Sequence, residues 1–443
     1  MASLSPQAIY PPRPFPLSAD GKRALESLAD QLVAETLHAS EDFSAQGRVV
    51  DPARWKAVKQ KNNMTAYRAR KSSALSSRRD RTASADTVGV AASPQMPKLY
   101  PADEKALQDV ETAPSMTLLD DDDSDDGGCE LYHVDYSEVN VLEEARPDRV
   151  PLVFSVGVVP GTIEDAALGF LADTELRSRM RNSTSKEVVA EDVRILAQIH
   201  GPTRDDPFRF LGIKWCSHRT DGAVGCFVKP RDYVIIESTG LALDSNGERF
   251  CYLLNHSIEL NEVPDFRALG QVRMTFSACH IVRSVDRPGA VEMFCRGFMD
   301  SGGSFSERMC TFMFCDGLLT VPTIVEESYM KKLAWLLLNQ QQRFSSGADS
   351  ALKTLDRCQC CHERLATGVA KLLESTTTCC LCRRGICRKC IVKKTLPQGA
   401  MSAKHQAMKY LDFCLDCYLK AKELSAWHVA MATMAVQEEI NTT

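Results

Sequence analysis

Apolar positions along this chain change period from one stretch to the next, and each change predicts an element. From about Asp20, Leu25, Leu28, Leu32 and Leu37 recur near helical spacing, so a helix is expected there. Pro151 to Val159 is a β-branched run that ends at Pro160 and Gly161. Thr162, followed three residues later by Asp165, is an acidic form of the capping box and predicts a helix from Ile163. Its apolar positions Ile163, Ala167, Phe170 and Leu171 share one face, and the pattern frays near Asn182. Strand-like segments then succeed one another between turn residues: Phe208 to Cys216, Gly225 to Val228, Tyr233 to Thr239, Phe250 to Ile258, Val272 to Val285 and Val291 to Met299. Strands in unbroken succession with short connections predict an antiparallel sheet, and with the helices an α+β fold.

After Pro322 the helical period returns at Met330, Leu333, Ala334, Leu337 and Phe344, widened by Trp335, Leu336 and Leu338. So apolar a helix must pack on something. The expected partner is the sheet, with Leu333, Leu337 and Phe344 closing one side of an apolar cavity; plain packing without a cavity explains the pattern almost as well. A trailing helix is expected from Leu419 to Gln437. The longest apolar runs fall far below the roughly 18 residues that spanning a bilayer needs. Met1 to Asp20 carries four Pro between Pro11 and Pro16 and no apolar secretory region, so a cytoplasmic location is expected.

Composition turns these elements into domains. A Pro-rich tail (1–17) precedes an α+β domain (18–344), which is interrupted at 72–128 by a Ser-, Ala-, Pro- and Asp-rich insertion. The insertion ends in the acidic run Asp120 to Asp126, whose like charges resist compaction, and disorder is expected there. A linker (345–357), a Cys-rich module (358–420) and a helical tail (421–443) follow. The net charge of −5 is too small, and of the wrong sign, for a chain that wraps nucleic acid along its length. Residues 358–443 hold 12 Lys and Arg against 7 Asp and Glu, a net of +5, which leaves −10 for residues 1–357. From Ser375 to Leu411 there are eight basic residues and no acidic one, a candidate anion-facing surface.

Ten of the 18 Cys lie between Cys358 and Cys417, a clustering that points to metal in a chain with no secretory signal. They contain four Cys-x-x-Cys pairs: Cys358/Cys361, Cys379/Cys382, Cys387/Cys390 and Cys414/Cys417. Zn²⁺ prefers four soft ligands in a tetrahedron, and two thiolates in one tight turn fill two corners, so eight ligands imply two structural zinc ions with no corner open for catalytic water. Seventeen, four and 23 residues separate successive pairs. The four-residue spacing favours a cross-brace, in which pairs one and three share one zinc and pairs two and four the other. A sequential arrangement with a GATA-like nucleic-acid finger remains open. Cys360, Cys380, His362 and His405 are surplus to eight ligands.

Lys229-Pro230-Arg231-Asp232-Tyr233-Val234 is similar to a Pro-Arg-Asp-aromatic-Val stretch of START domains, and the element order over 18–344 resembles their helix-grip architecture. The run Cys379 to Cys390 looks like a FYVE-type zinc finger, and a START-like domain followed by such a finger resembles START–FYVE two-domain proteins. The resemblance implies an apolar lipid ligand and peripheral association with endosomal membranes. Three ligand elements of FYVE fingers are absent: no Trp precedes Cys358, Ser375 to Cys380 replaces the basic run, and Asp412 stands at the last Arg position. Recognition of phosphatidylinositol 3-phosphate in the usual pocket is therefore not expected. Arg383, Arg384, Arg388 and Lys389 are left to face anionic lipid or a protein partner, with a solvated basic face as the plainer reading. Arg231 and Asp232 read as a strand-edge ion pair with a fold role. No Gly-rich phosphate loop, nucleophile elbow or convergent His and carboxylate motif points to an enzyme. The expectation is a lipid-sensing adaptor. The alternatives are a zinc-finger scaffold with a filled cavity and a nucleic-acid-binding regulator, the latter disfavoured because Tyr410 is the sole aromatic residue from 375 to 411.

Overall fold

Ser18 starts the first helix, its hydroxyl accepting a hydrogen bond from the Gly21 N–H at 3.0 Å. In the computed structural model, which describes residues 10–70, 140–182, 188–220, 228–303, 305–345, 357–365, 377–397 and 408–442, eight helices and fourteen strands follow in chain order. The helices are α1 (Ala19–Ala45), α2 (Val141–Ala145), α3 (Ile163–Phe170), α4 (Glu175–Asn182), α5 (Glu307–Leu318), α6 (Thr323–Ser345), α7 (Leu415–Glu423) and α8 (Ala426–Thr442). The strands are β1 (Trp55–Lys61), β2 (Met64–Ala69), β3 (Val153–Pro160), β4 (Val188–His200), β5 (Phe210–Thr220), β6 (Arg231–Leu243), β7 (Arg249–Ser257), β8 (Val272–Arg273), β9 (Thr275–Ser284), β10 (Ala290–Asp300), β11 (Thr377–Thr378), β12 (Gly385–Ile386), β13 (Ile391–Pro397) and β14 (Met408–Cys414). The insertion expected at 72–128 and most of the expected linker lie outside the described residues.

The chain divides into two compact units. The first comprises Met1–Ile163, Ala172–Gly201 and Arg209–Pro322. Its ten-stranded sheet runs in the order β1-β2-β3-β10-β9-β7-β6-β5-β4 with antiparallel neighbours, and β8 pairs in parallel with β6. The period-two alternation of each strand sorts side chains onto two faces. One face packs under α1: Leu25, Ala29, Leu32 and Val33 form a buried cluster with Leu211, Ile213 and Trp215 of β5, Val234 and Ile236 of β6, Leu254 of β7, Ile281 of β9 and Phe298 of β10. Each leucine buried there contributes about 1.5–3 kcal/mol. The alternate residues form the opposite face, and Phe210, Ile235, Leu253, Val282 and Met293 there are buried as well.

The second unit comprises Glu164–Leu171, Pro202–Phe208 and Thr323–Thr443. This corrects the expected boundary at 344/345, and the physical cause is where α6 finds apolar partners. Leu333, fully buried, belongs to a core with Leu365, Leu381, Ile386, Leu396, Phe413 and Ala421, and Leu337 packs against it. The sequence pattern places both on a cavity against the sheet; in the fold they complete the core around the cysteines instead. The side chain of Phe344 lies outside the described residues. Lys331 donates to the carbonyls of Leu168, Gly169 and Leu171 at 2.7–3.1 Å, satisfying the open C-terminal end of α3, while Lys332 forms a buried pair with Asp165 at 2.6 Å. Gly169 permits the close crossing of α3 and α6, because a Cβ there would overlap the Ile324 carbonyl.

Other expectations shift at their edges. The helix read from Ile163 to Asn182 is two, α3 and α4, and the trailing helix is α7 and α8. The hairpin β1–β2, strand β4 and helix α5 are additions to the elements that the apolar pattern predicts. For the hairpin a signal existed: Asn62 and Asn63 both adopt positive φ, 54° and 61°, as a two-residue type I′ turn requires.

Candidate functional site

The eight cysteines of the four pairs converge into two tetracysteine clusters. Cys358, Cys361, Cys387 and Cys390 form one, and Cys379, Cys382, Cys414 and Cys417 the other, with the sulfurs of each set within 4.8 Å of one another. This is the cross-brace, pairs one and three against pairs two and four; the sequential pairing is overturned. A Zn²⁺ with Zn–S bonds of about 2.3 Å sets tetrahedral sulfurs roughly 3.8 Å apart. Cys361 and Cys387 are 3.6 Å apart, and Cys382 and Cys414 3.8 Å, so both sets fit the metal.

Local structure explains how each pair presents its thiols. In the first two pairs the residue after the second Cys bonds back to the carbonyl of the first: His362 N–H to Cys358 and Arg383 N–H to Cys379, both at 3.0 Å. The same two residues adopt φ of 59°, the left-handed conformation that closes such a turn. His362, surplus as a ligand, is thus a turn residue. Backbone N–H groups point at the sulfurs, from Cys387 to Cys358 at 3.5 Å and from Cys414 to Cys379 at 3.3 Å. Against burial, which raises it, N–H donors from Cys361, Cys387 and Cys360 bring the Cys358 thiol down to about 6, toward the thiolate a metal needs. Cys360 and Cys380 are half-buried and belong to neither cluster. Arg383, Arg384, Arg388 and Lys389 are all exposed; Arg384 bonds the Gln359 side chain, and Lys389 lies 4.0 Å from Glu363.

Arg231 and Asp232 do not pair, because consecutive strand residues point to opposite faces. Arg231 donates to the Ser301 and Lys229 carbonyls and lies 4.3 Å from the Phe305 ring centre. Asp232, fully buried, accepts from the Trp215 indole at 2.9 Å and from Arg273 at 2.8 Å. The hexapeptide therefore anchors the fold at two separate points.

A second candidate site lies on the sheet face opposite α1 and was not legible as a motif. Across the ladder Ser155 of β3 faces Cys295 of β10, which faces His280 of β9, and the row continues through Leu253 to Thr239 of β6. Glu237 follows on the same face of β6, and Lys214 stands on the neighbouring strand β5. These polar groups make a buried stripe on an otherwise apolar surface. Lys214 Nζ donates to Ala172 O at 2.5 Å, Ser178 Oγ at 2.9 Å and Glu237 Oε1 at 2.7 Å, and it lies 4.5 Å from the Phe210 ring centre. Arg181 of α4 forks onto the same carboxylate. Burial opposes charge on both partners. It pushes the Lys214 ammonium down, whereas for Glu237 the charges of Arg181 and Lys214 outweigh it and hold the carboxyl below its usual range. Cys295 Sγ lies 3.6 Å from His280 Nε2, and burial drives its thiol well up, so the pair is a neutral contact and not an activated nucleophile. Ser155 Oγ is buried with no hydrogen-bond partner.

Burial holds His218, His256 and His280 at about 4. Their folded values lie below an unfolded value near 6.5, so the unfolded chain takes up protons first and stability falls as pH drops from about 6.5 toward 4. Denaturant melts across that window are expected to show a loss on the order of several kcal/mol, with replacement of all three by Asn flattening the curve. A curve already flat in the wild type would mean that these imidazoles are solvated.

No protein family and no curated protein matches the sequence. Among solved structures the chain is similar to the crystal structure of human STARD10, with 10% identity, 69% of this chain and 84% of that chain covered, and a TM-score of 0.35. It is similar also to human StAR-related lipid transfer protein 5, with 13% identity, 67% and 95% coverage and a TM-score of 0.34.

Proposed function

We propose that the chain is a non-enzymatic lipid-binding adaptor: the first unit takes an apolar lipid against the sheet face opposite α1, and the second is a two-zinc module that engages an anionic membrane surface or a protein partner. The setting proposed is the cytosolic side of endosomal membranes. One observation carries the reading: a fully buried hydroxyl, Ser155 Oγ, has no partner at the end of a polar stripe on an apolar face. An unpaired buried hydroxyl costs about 1–3 kcal/mol, and a lipid's polar group bonded there offsets it. The zinc ions would be held by the two tetracysteine sets and would supply structure alone, since four thiolates leave no open position.

The scaffold reading has one observation in its favour, the complete burial of Phe210, Leu253, Val282 and Met293 on that same face. Ser155→Ala separates the two, because it removes the hydroxyl and adds no bulk to a fully buried position. For a lipid site, uptake of a fluorescent phospholipid by the full chain is expected to fall roughly tenfold while the fold persists, as for one lost hydrogen bond. In a filled scaffold, wild type takes up no lipid and the variant melts higher, and that result would reject the lipid reading.

A further inference from the structure

The β1–β2 hairpin forms one edge of the large sheet and carries six Lys and Arg with no Asp or Glu between Ala53 and Arg70, in a half of the chain that is otherwise acidic. The ladder gathers these charges. Trp55 turns its ring onto Phe154 on the α1 side, so Lys56 faces the other way. A register break between Ala57 and Lys59 sets Val58 in a bulge, and Lys59 and Lys61 then return to the same face as Lys56. Arg68 stands directly across the ladder from Lys56. Like charges directly opposite one another are unfavourable in a sheet, so fold stability alone does not account for this pairing.

Helix α5 lies over the same face. Lys59 Nζ is 4.8 Å from the Phe312 ring centre, and Asp316 pairs with Lys59 and lies 4.0 Å from Lys61. One carboxylate thus meets two of the four cations, Lys59 and Lys61. One turn apart on α5, Met309 and Phe312 remain 49% and 46% exposed, large apolar side chains presented to solvent beside the lysines. Lys56 and Lys61 are exposed too.

From this juxtaposition we infer that the hairpin edge and α5 form a docking surface for an anionic bilayer, with Met309 and Phe312 entering the headgroup boundary and Lys56, Lys59, Lys61 and Arg68 facing the lipid phosphates and carboxylates. Cations around protruding apolar side chains match a charged interface with an apolar interior beneath it. A nucleic acid would use the cations and leave the methionine without a role. The inference deepens the lipid reading by naming where the first unit meets a membrane, and it is separable from it because vesicle binding and lipid uptake are read in different assays.

The test is flotation of the full chain with vesicles of phosphatidylcholine, alone and with about a third phosphatidylserine. Lys56→Gln with Lys61→Gln is expected to lower partitioning onto the anionic vesicles roughly 30-fold, since each lysine near the surface contributes about 1 kcal/mol, or about fivefold. Lys56→Arg with Lys61→Arg is expected to bind as wild type. Met309→Ser with Phe312→Ser, which leaves the charge intact, is expected to weaken binding roughly tenfold. All six positions changed are exposed or conservative, and an unchanged melting curve accompanies each expected result. The inference is overturned if both Gln and Ser variants float as wild type, if the Arg variant falls with the Gln variant, if binding is lost only through Arg383→Gln with Arg388→Gln in the finger, or if duplex DNA and not vesicles shows the dependence on Lys56 and Lys61.

Discussion

Cys387→Ala is expected to unfold the C-terminal unit as fully as Cys358→Ala, although 29 positions separate the two cysteines in sequence. Both are ligands of one cluster. Structural zinc contributes an apparent 10–16 kcal/mol or so in small fingers, about as much as the whole stability of an ordinary domain. The loss is expected to reach beyond the finger, because Leu333 of α6 shares a core with Cys358, Cys379 and Cys414. Hydrogen exchange should therefore show α6 losing protection together with β13 and β14 in either variant. Cadmium-substituted protein gives the pairing directly: the Cβ protons of Cys358 and Cys387 should couple to one metal and those of Cys379 and Cys414 to the other. Coupling of Cys358 and Cys379 to the same cadmium would contradict the cross-brace.

The second large effect is expected at Glu237. Its carboxylate is buried and holds two cations, Lys214 and Arg181. Glu237→Ala leaves both without their anion and is expected to destabilise the first unit by about 3–5 kcal/mol in denaturant melts. Lys214→Met is expected to cost less, because Arg181 still neutralises the carboxylate. The acid limb has a definite sign. With the folded Glu237 held below its usual range, the pair's contribution is present above about pH 4.5 and is lost as pH falls through the folded value. A cost below about 1 kcal/mol for Glu237→Ala would mean that water reaches the network.

Much of this was legible in the sequence, for reasons that differ from site to site. The cysteine pairs announce themselves because metal ligation fixes both residue type and spacing, and the four-residue gap between Cys382 and Cys387 already favoured the cross-brace. The strands from β5 to β10 were legible because each buries β-branched and aromatic residues between turn residues. The partner of α6 was not: an apolar helix records that it is buried and not by what, so the sheet and the cysteine module looked alike from Leu333 and Leu337. Arg231 and Asp232 misled for the opposite reason, since adjacency in sequence suggests a pair where strand geometry forbids one. The polar stripe was hidden because Ser155, His280, Glu237 and Lys214 come from four strands, and only the register of the sheet brings them onto one face. The basic hairpin escaped because its alternation is broken by a bulge and its Asn62-Asn63 turn lacks the glycine that usually marks such turns.

Native mass spectrometry of the full chain, purified without detergent, tests the account most directly. The account predicts a dominant species carrying two zinc ions and one lipid molecule, with lipid occupancy sharply reduced and both metals kept in Ser155→Ala. A wild-type chain that carries no lipid, or a lipid retained equally by wild type and Ser155→Ala, would contradict it.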